Sequence, residues 1–355
     1  MDTAGRSAAP GSIAADGVSS NGVSTDADRP FGVVVNPTSA LGRGRRVARR
    51  VLAAFAKAGV AAVEISGPDA EACREAVRSA CATGLRGLVL VGGDGLIGLV
   101  LQLPEARALP IGVVPAGSGN DFARQFGLRG HPRSAVHRIL SVESTPRSVD
   151  LGVVALPAAL QPAAPSSAAP QSAVPSSPDP GQADADVREH WFAGGLSIGF
   201  DAAINRRANA LRLPLGPLRY HLALLIELAV LRSRPFTVST ETATGRHETR
   251  SFYGLLATAM NIRAIGGGIP LAPGASADDG LLDLVEVSHG TKLRILSVLG
   301  VLARGRHERL PEVRITRVRR ARIEAGDEVA YADGERVGRS PFEVRVAPAA
   351  LTLLA

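Results

Sequence analysis

Between Phe31 and Asp150 short apolar runs alternate with stretches of helical periodicity, and this alternation restricts the fold more than any other feature. Phe31–Val35, Val60–Ile65, Gly87–Val91 and Ile111–Val114 read as strands, the first short and apolar and the third buried. Helices are expected over Arg43–Ala58, from Pro68 to Gly84, over Leu96–Leu103 and from Asn120. Pro68 suits a first turn, where its missing N–H costs least, and Gly59 and Gly84 supply stops. A repeated strand–helix–strand order makes neighbouring strands parallel, with helices on both faces of the sheet. In such sheets ligands bind beyond the carboxyl ends of the strands.

After Asp150 the pattern changes. His190–Ile198, Thr237–Glu241, Ser251–Met260, Leu282–Val287, Val313–Thr316, Arg320–Glu324, Glu328–Ala332, Phe342–Val346 and Leu351–Leu354 have the two-residue period of strands. They predict an antiparallel sandwich interrupted by helices near Pro217–Leu231 and Thr291–Ala303. Ala155–Asp186 holds seven prolines, ten alanines and five serines and no basic residue. Such a segment cannot bury enough apolar surface to offset its ordering entropy, so it reads as an insertion between two strands. The expected organisation is a disordered tail over 1–30, an α/β unit over 31–148 and a β-sandwich unit over 149–355. The last strand is a candidate to return to the first unit.

Of 40 basic residues only Lys57 and Lys292 are lysines. There is no G-x-x-x-x-G-K-[ST] and no V-A-I-K, which excludes a P-loop and a protein-kinase fold. The formal charge of +7 suits phosphate-bearing ligands or a membrane surface. No aromatic interleaving or zinc-finger spacing points to nucleic acid. Cys73 and Cys81, eight residues apart on one predicted helix, are ~12 Å apart, too far for a disulfide; both read as buried packing residues. No run reaches the ~20 apolar residues of a membrane span. No signal peptide is visible, so a cytoplasmic protein is expected.

Three strand-end loops carry glycine together with acidic or basic residues. The first is Asn36-Pro37-Thr38-Ser39, running on to Gly42-Arg43-Gly44-Arg45-Arg46. The second is Gly92-Gly93-Asp94-Gly95, and the third Gly117-Ser118-Gly119-Asn120-Asp121 followed by Phe122-Ala123-Arg124. Glycine lets backbone N–H groups approach phosphate oxygens, and helix N-termini add positive potential. Asp94 and Asp121 beside phosphates require a cation between the charges, and Mg²⁺ is the natural one.

These loops, with Asp150-Leu151-Gly152, Ser197-Ile198-Gly199-Phe200-Asp201, Gly266-Gly267-Gly268, Asp279-Gly280-Leu281-Leu282-Asp283 and Asp333-Gly334-Glu335, resemble the diacylglycerol kinase catalytic family, especially its soluble bacterial lipid kinases. The likeness spans residues 31–355 apart from the insertion. It implies a two-domain fold in which ATP and a lipid alcohol meet in a cleft. It further implies that Asp94, Asp121 and Asp150 organise Mg²⁺, with Asp94 and Asp150 at the catalytic centre. Glu335 matches the general base on the acceptor hydroxyl, and the backbone around Ser276, Asp279 and Leu281 matches a structural magnesium site in some members. The acceptor, diacylglycerol or another long-chain alcohol, implies peripheral contact with the inner face of a membrane. Arg206, Arg207 and Arg212, or Arg304, Arg306 and Arg309, are candidates for that contact. A homodimer is left open.

The sequence also departs from the family. Leu96 and Leu99 stand where Thr and Glu are usual, Ala40 stands where Gly is common, and Phe192-Ala193-Gly194-Gly195 lacks the usual Asn. Two alternatives therefore stay open: a non-catalytic nucleotide- or lipid-binding relative, and an enzyme of the NAD-kinase kind, which shares Gly-Gly-Asp-Gly.

Overall fold

The computed structural model describes residues 28–35, 43–128, 131–143, 145–157, 187–210, 218–290, 294, 298, 300–302 and 304–355. Its first half is a parallel sheet in the order β4-β3-β1-β2, built from β1 (Phe31–Val35), β2 (Ala62–Ser66), β3 (Gly87–Gly92) and β4 (Ile111–Pro115). The two-residue period of β1 sends Phe31, Val33 and Val35 to one face and Val34 to the other. The first face packs on α1 (Arg43–Lys57) and α6 (Pro132–Ser141) through Val51, Phe55, Val136 and Ile139. The second packs on α2 (Ala70–Ala82) and α3 (Asp94–Leu101) through Cys73, Val77, Leu99 and Val100. A short α4 (Pro104–Arg107) and α5 (Asp121–Gln125) complete this half.

Two helix starts differ from expectation. Pro68 lies outside α2, whose N-cap is Asp69; that carboxylate accepts a 2.9 Å bond from the N–H of Ala72. α3 begins two residues early, at Asp94, so the second glycine loop is a helix start rather than a free turn. It also ends early, because Pro104 forces Leu103 into extended backbone before α4. Cys73 is buried as expected, whereas Cys81 is only partly covered, and both are free thiols.

The second half is antiparallel. Its elements are β5 (Arg147–Pro157), β6 (Val187–Phe192), β7 (Gly195–Ile198), α7 (Phe200–Ala210), α8 (Leu218–Ala229), β8 (Arg234–Thr242), β9 (His247–Met260), β10 (Leu282–Ser288), β11 (Val313–Glu324), β12 (Val329–Ala332), β13 (Glu335–Arg339) and β14 (Phe342–Leu354). The strand path runs β13-β12-β7-β9-β10-β11-β14, with β8 bridging β9 and β11 and β5 lying between β14 and β6. Phe192, Phe236, Phe342, Val318 and Ile323 fill the core between these strands. The run expected over His190–Ile198 breaks at Ala193-Gly194 into β6 and β7, and Val313–Glu324 is one strand. β5, β13 and α7 were not anticipated as elements. Of the helix expected over Thr291–Ala303, the described residues Arg294, Val298 and 300–302 are helical. No helix among the described residues is long and apolar enough to cross a membrane.

β14 joins the two halves. It pairs antiparallel with β11 and β5, shifts register between Ala347 and Leu351, and ends parallel to β4 through Leu353 and Leu354. Ala349 inside that shift has φ +51°, a left-handed conformation a side chain tolerates only when held there. This bulge is why Phe342–Val346 and Leu351–Leu354 read as two strands: the alternation of inward and outward residues breaks at it.

The Pro/Ala/Ser-rich segment falls on residues 158–186, outside the described residues, and Ala155, Leu156 and Pro157 belong to β5. Its two ends are cross-strand partners, Pro157 opposite Val187. A four-residue Gly-containing hairpin turn should therefore replace all 29 residues. The shorter closure removes on the order of 1–2 kcal/mol of loop entropy, so Tm should stay level or rise a few degrees. A fall of more than about 5 °C in thermal melts would show that the segment packs on the sheet.

Asp283 on β10 is buried, and its carboxylate accepts no hydrogen bond among the described residues. Burial pushes its carboxyl up to about 6; Arg317 opposes the rise, and Asp279 and Glu308 add to it. The folded state thus holds this proton more tightly than the unfolded chain does. The associated stability is complete below about pH 4 and is lost as pH rises through about 6. Asp283→Asn should be nearly neutral at about pH 4.5 and stabilising by on the order of 2–3 kcal/mol at about pH 7.5. Thermal melts of both proteins at the two pH values check this, and equal Tm differences at both would sink it.

Candidate active site

The second and third glycine loops are packed backbone to backbone. A Cβ placed on Gly117 would lie 2.5 Å from the Cα of Gly93, so no side chain fits between them. The third loop is locked by Asn120, at φ +56°, whose amide donates to Gly117 O at 2.8 Å and accepts from Gly117 N at 2.9 Å. Gly95 is exposed in the first turn of α3, and Ser118 lies between the locked glycines.

Asp94, the first residue of α3, reaches across to the third loop. Its two oxygens accept from the N–H groups of Asp121 and Phe122, each at 3.0 Å. One carboxylate therefore fixes the start of α5 against the start of α3. Gly119 and the two carboxylates form a close cradle: a Cβ there would lie 2.9 Å from Asp94 Oδ2, too near to fit without a shift, and 3.9 Å from Asp121 Oδ2. Two carboxylates and a bare stretch of backbone thus face one small space.

Asp121 ties this corner to the second half of the chain. It pairs with Arg124, which also donates to Gly119 O at 2.8 Å. Its other oxygen accepts from Gly267 N at 2.7 Å. Gly266, Gly267 and Gly268 all have positive φ, which curls their backbone round to present that N–H. The Asp121 carboxyl is held above the usual range, chiefly by burial. The Gly267 bond lowers it, the charge of Asp94 raises it, and Arg124 lowers it.

The β12–β13 turn closes the site from the far side. Asp333, at φ +48°, accepts from three successive N–H groups, Ala193 at 2.8 Å, Gly194 at 2.9 Å and Gly195 at 3.0 Å. The turn lies against α3, since a Cβ on Gly98 would stand 3.7 Å from Asp333 Cβ. Burial pushes the Asp333 carboxyl up to about 6; the backbone donors pull it down and the charge of Asp94 adds to the rise. Glu335 follows two residues later as the first residue of β13, partly exposed and without a side-chain partner among the described residues. Sequence reasoning took Glu335 and passed over Asp333, because Asp-Gly reads equally well as an ordinary hairpin turn.

Other expected residues fall elsewhere. Asn36, Pro37, Thr38 and Ser39 lie outside the described residues. Asp150 is buried, and its oxygens accept from Gly280 N at 2.7 Å and Ala349 N at 2.8 Å. It holds a loop and the β14 bulge. Around the backbone of Ser276, Asp279 and Leu281, Ser276 donates to Asp278, while Asp279 accepts from Leu281 N at 3.0 Å and pairs with Arg317. Leu96 and Leu99 are core residues, packed with Ala193, Ile262 and Ala277. Their difference from the family pattern is a matter of packing.

Magnesium does fit the Gly119 cradle. The ion prefers hard oxygens and is commonly bound through one or two carboxylates with phosphates and water completing its shell. Asp94 and Asp121 would supply that pair, and the charge of Asp94 already raises the Asp121 carboxyl. Among the described residues no three acidic, His or Cys side chains converge on one point.

The diacylglycerol kinase catalytic domain matches residues 30–154, and the YegS C-terminal NAD kinase beta sandwich-like domain matches residues 194–355. A diacylglycerol kinase of Mycobacterium tuberculosis is 32% identical over 322 residues, covering 90% of this chain and 93% of that protein. A diacylglycerol kinase of Bacillus subtilis is 25% identical over 322 residues, 88% of this chain and 91% of its own. A solved diacylglycerol kinase structure from Bacillus anthracis shares the fold with a TM-score of 0.59 at 14% identity, covering 92% of this chain and 96% of that one. Another chain from the same organism reaches 0.66 at 15% identity, with the same coverage. With both halves matched in order and the identity running over nearly all of both chains, this protein belongs to the diacylglycerol kinase family of lipid kinases.

Proposed function

We propose that the protein transfers the γ-phosphoryl group of ATP, bound with Mg²⁺, to the hydroxyl of diacylglycerol or a related long-chain lipid alcohol. Residues 31–148 would hold the nucleotide and residues 149–355 the acceptor. The observation that carries this reading is the Gly119 cradle, faced by Asp94 and Asp121 and closed by the hairpin bearing Glu335. Phosphoryl transfer needs positioned groups and compensated charge more than covalent chemistry. The locked Gly117–Asn120 backbone offers a rigid floor for phosphate oxygens, and α3 points its positive N-terminus toward them. Asp94 and Asp121 are the residues that would hold magnesium, which when bound offsets the charge of the phosphates. Glu335, free of other partners, would accept the proton of the attacking hydroxyl. The acceptor resides in a bilayer, so the reaction would take place at a membrane surface.

The motive for a non-catalytic reading was the replacement of polar residues at 96 and 99, and both leucines are buried in the core. Restoring the family residues there would place a carboxylate in an apolar cluster, so Leu99→Glu should destabilise the fold by several kcal/mol rather than retune nucleotide binding.

Radiolabelled ATP and a panel of lipid alcohols test the proposal. Glu335→Gln should keep ATP–Mg²⁺ affinity while lowering turnover ~10²- to 10⁴-fold, the usual contribution of a positioned base. Asp94→Asn should abolish most transfer and weaken the magnesium dependence of ATP binding, with circular dichroism confirming a folded protein. A wild-type protein that binds ATP yet phosphorylates no lipid alcohol would overturn the reading.

A further inference from the structure

The outward face of α8 inverts the usual distribution of a surface helix. At 3.6 residues per turn, Leu222, Leu225, Ile226, Ala229 and Val230 share one arc, and none of them is polar. Leu225 is 63% exposed and Val230, just beyond the helix end, 54%. The one acidic residue of the helix, Glu227, points the other way: it is 6% exposed and bonded to Arg207 of α7 at 2.5 Å. Beside it Ala223 is buried, while Leu224 and Leu228 pack on a core cluster with Leu255 and Val298. The charge is inside and the hydrocarbon outside, the reverse of what water selects.

The surroundings of this face are basic. Arg206 on α7 and Arg232, two residues past Val230, are exposed, and neither has an acidic partner among the described residues. Arg207, singled out with Arg206 and Arg212 in the sequence, is taken by Glu227, and Arg212 lies outside the described residues. The chain leaves α8 through Arg232 to Pro235, whose cross-strand partner on β9 is Tyr253, 67% exposed. A tyrosine with an apolar ring and a polar tip suits a boundary between hydrocarbon and water.

We propose that this face docks the protein on an anionic bilayer, with Leu225, Val230 and Tyr253 entering the headgroup boundary and Arg206 and Arg232 meeting lipid phosphates. The apolar arc asks for hydrocarbon and the unpaired arginines for anions, and a bilayer of anionic lipid supplies both. A second copy of this chain would set the same arginines against one another. The proposal rests on the lipid-acceptor reading above, since it is that substrate which brings the enzyme to a bilayer.

Sedimentation with phosphatidylcholine vesicles containing phosphatidylglycerol reads the docking directly. Wild-type binding should rise with the phosphatidylglycerol fraction and fall with salt. Leu225→Glu should weaken it ~10-fold or more, as loss of a buried leucine plus an added repulsion requires. Arg206→Ala and Arg232→Ala should each weaken it ~5-fold. All three are surface changes, so Tm should hold. Turnover on a short-chain diacylglycerol dispersed as monomers should be unchanged in Leu225→Glu, while turnover on diacylglycerol in vesicles falls with binding. Vesicle binding indifferent to these variants would overturn the docking face, as would a wild-type dimer in light scattering that Leu225→Glu dissociates. Transfer to dispersed lipid without any vesicle binding also rejects the docking and leaves the kinase reading intact. Variant-sensitive vesicle binding without transfer to any lipid supports the docking and rejects the kinase reading.

Discussion

The Asp150 residue holds four parts of the molecule at one point. Its N–H donates to Ala277 O at 2.7 Å, and its carbonyl accepts from the amide of Asn261 at 2.8 Å. Its carboxylate takes the N–H groups of Gly280 and Ala349. Those bonds secure the 277–280 loop, the end of β9 and the bulge in β14 against β5. The bulge in turn lets one strand serve an antiparallel sheet at its start and a parallel one at its end. Each buried N–H left without its acceptor costs ~1–3 kcal/mol, so losing this carboxylate would unsettle the join before it touched any chemistry. The two halves are thus one continuous sheet, and the site between them is fixed by backbone bonds.

At that site, charges are kept close at a cost. Asp94 raises the carboxyls of both Asp121 and Asp333, and burial raises them further. The fold offsets the cost with directed backbone donors: two N–H groups on Asp94, one on Asp121 and three on Asp333. Donors so fixed hold the carboxylates in place without rearrangement. The triple bond of Asp333 also sets where β13 begins, and so where Glu335 stands.

The parallel half was legible because its strands are short, bounded by glycine or proline and, apart from the half-exposed β2, apolar, so local pattern is enough to specify it. The glycine loops were legible for the same reason, since close backbone approach at Gly93 and Gly117 admits no other residue. The failures lie where tertiary contact overrides local pattern. A bulge at Ala349 made one strand read as two, and a Pro68 suited to a helix start was displaced by the better cap at Asp69. An aspartate that satisfies backbone donors looks the same in sequence as one that binds a metal. The resemblance placed Asp150 and Asp279 at ions, and the fold gives them Gly280, Ala349 and Arg317 as partners. Asp333 was passed over for the converse reason, an ordinary turn motif with an extraordinary set of partners.

Two groups of leucines show why burial has to decide the meaning of an apolar residue. Leu96 and Leu99 stand where polar residues are usual beside the nucleotide loops, which by pattern alone suggests damage to the site. Their burial makes them part of the wall behind Asp94, so the departure falls on packing and leaves the carboxylates untouched. Leu225 and Val230 lie in an apolar run that by pattern alone reads as core, yet they face solvent while Glu227 is drawn inside to Arg207. Leu224 and Leu228 of the same helix are packed inside, so the exposure falls on one arc, and among the described residues nothing covers it. On the proposed lipid-acceptor reading, the bilayer is the second solvent which that arc would meet.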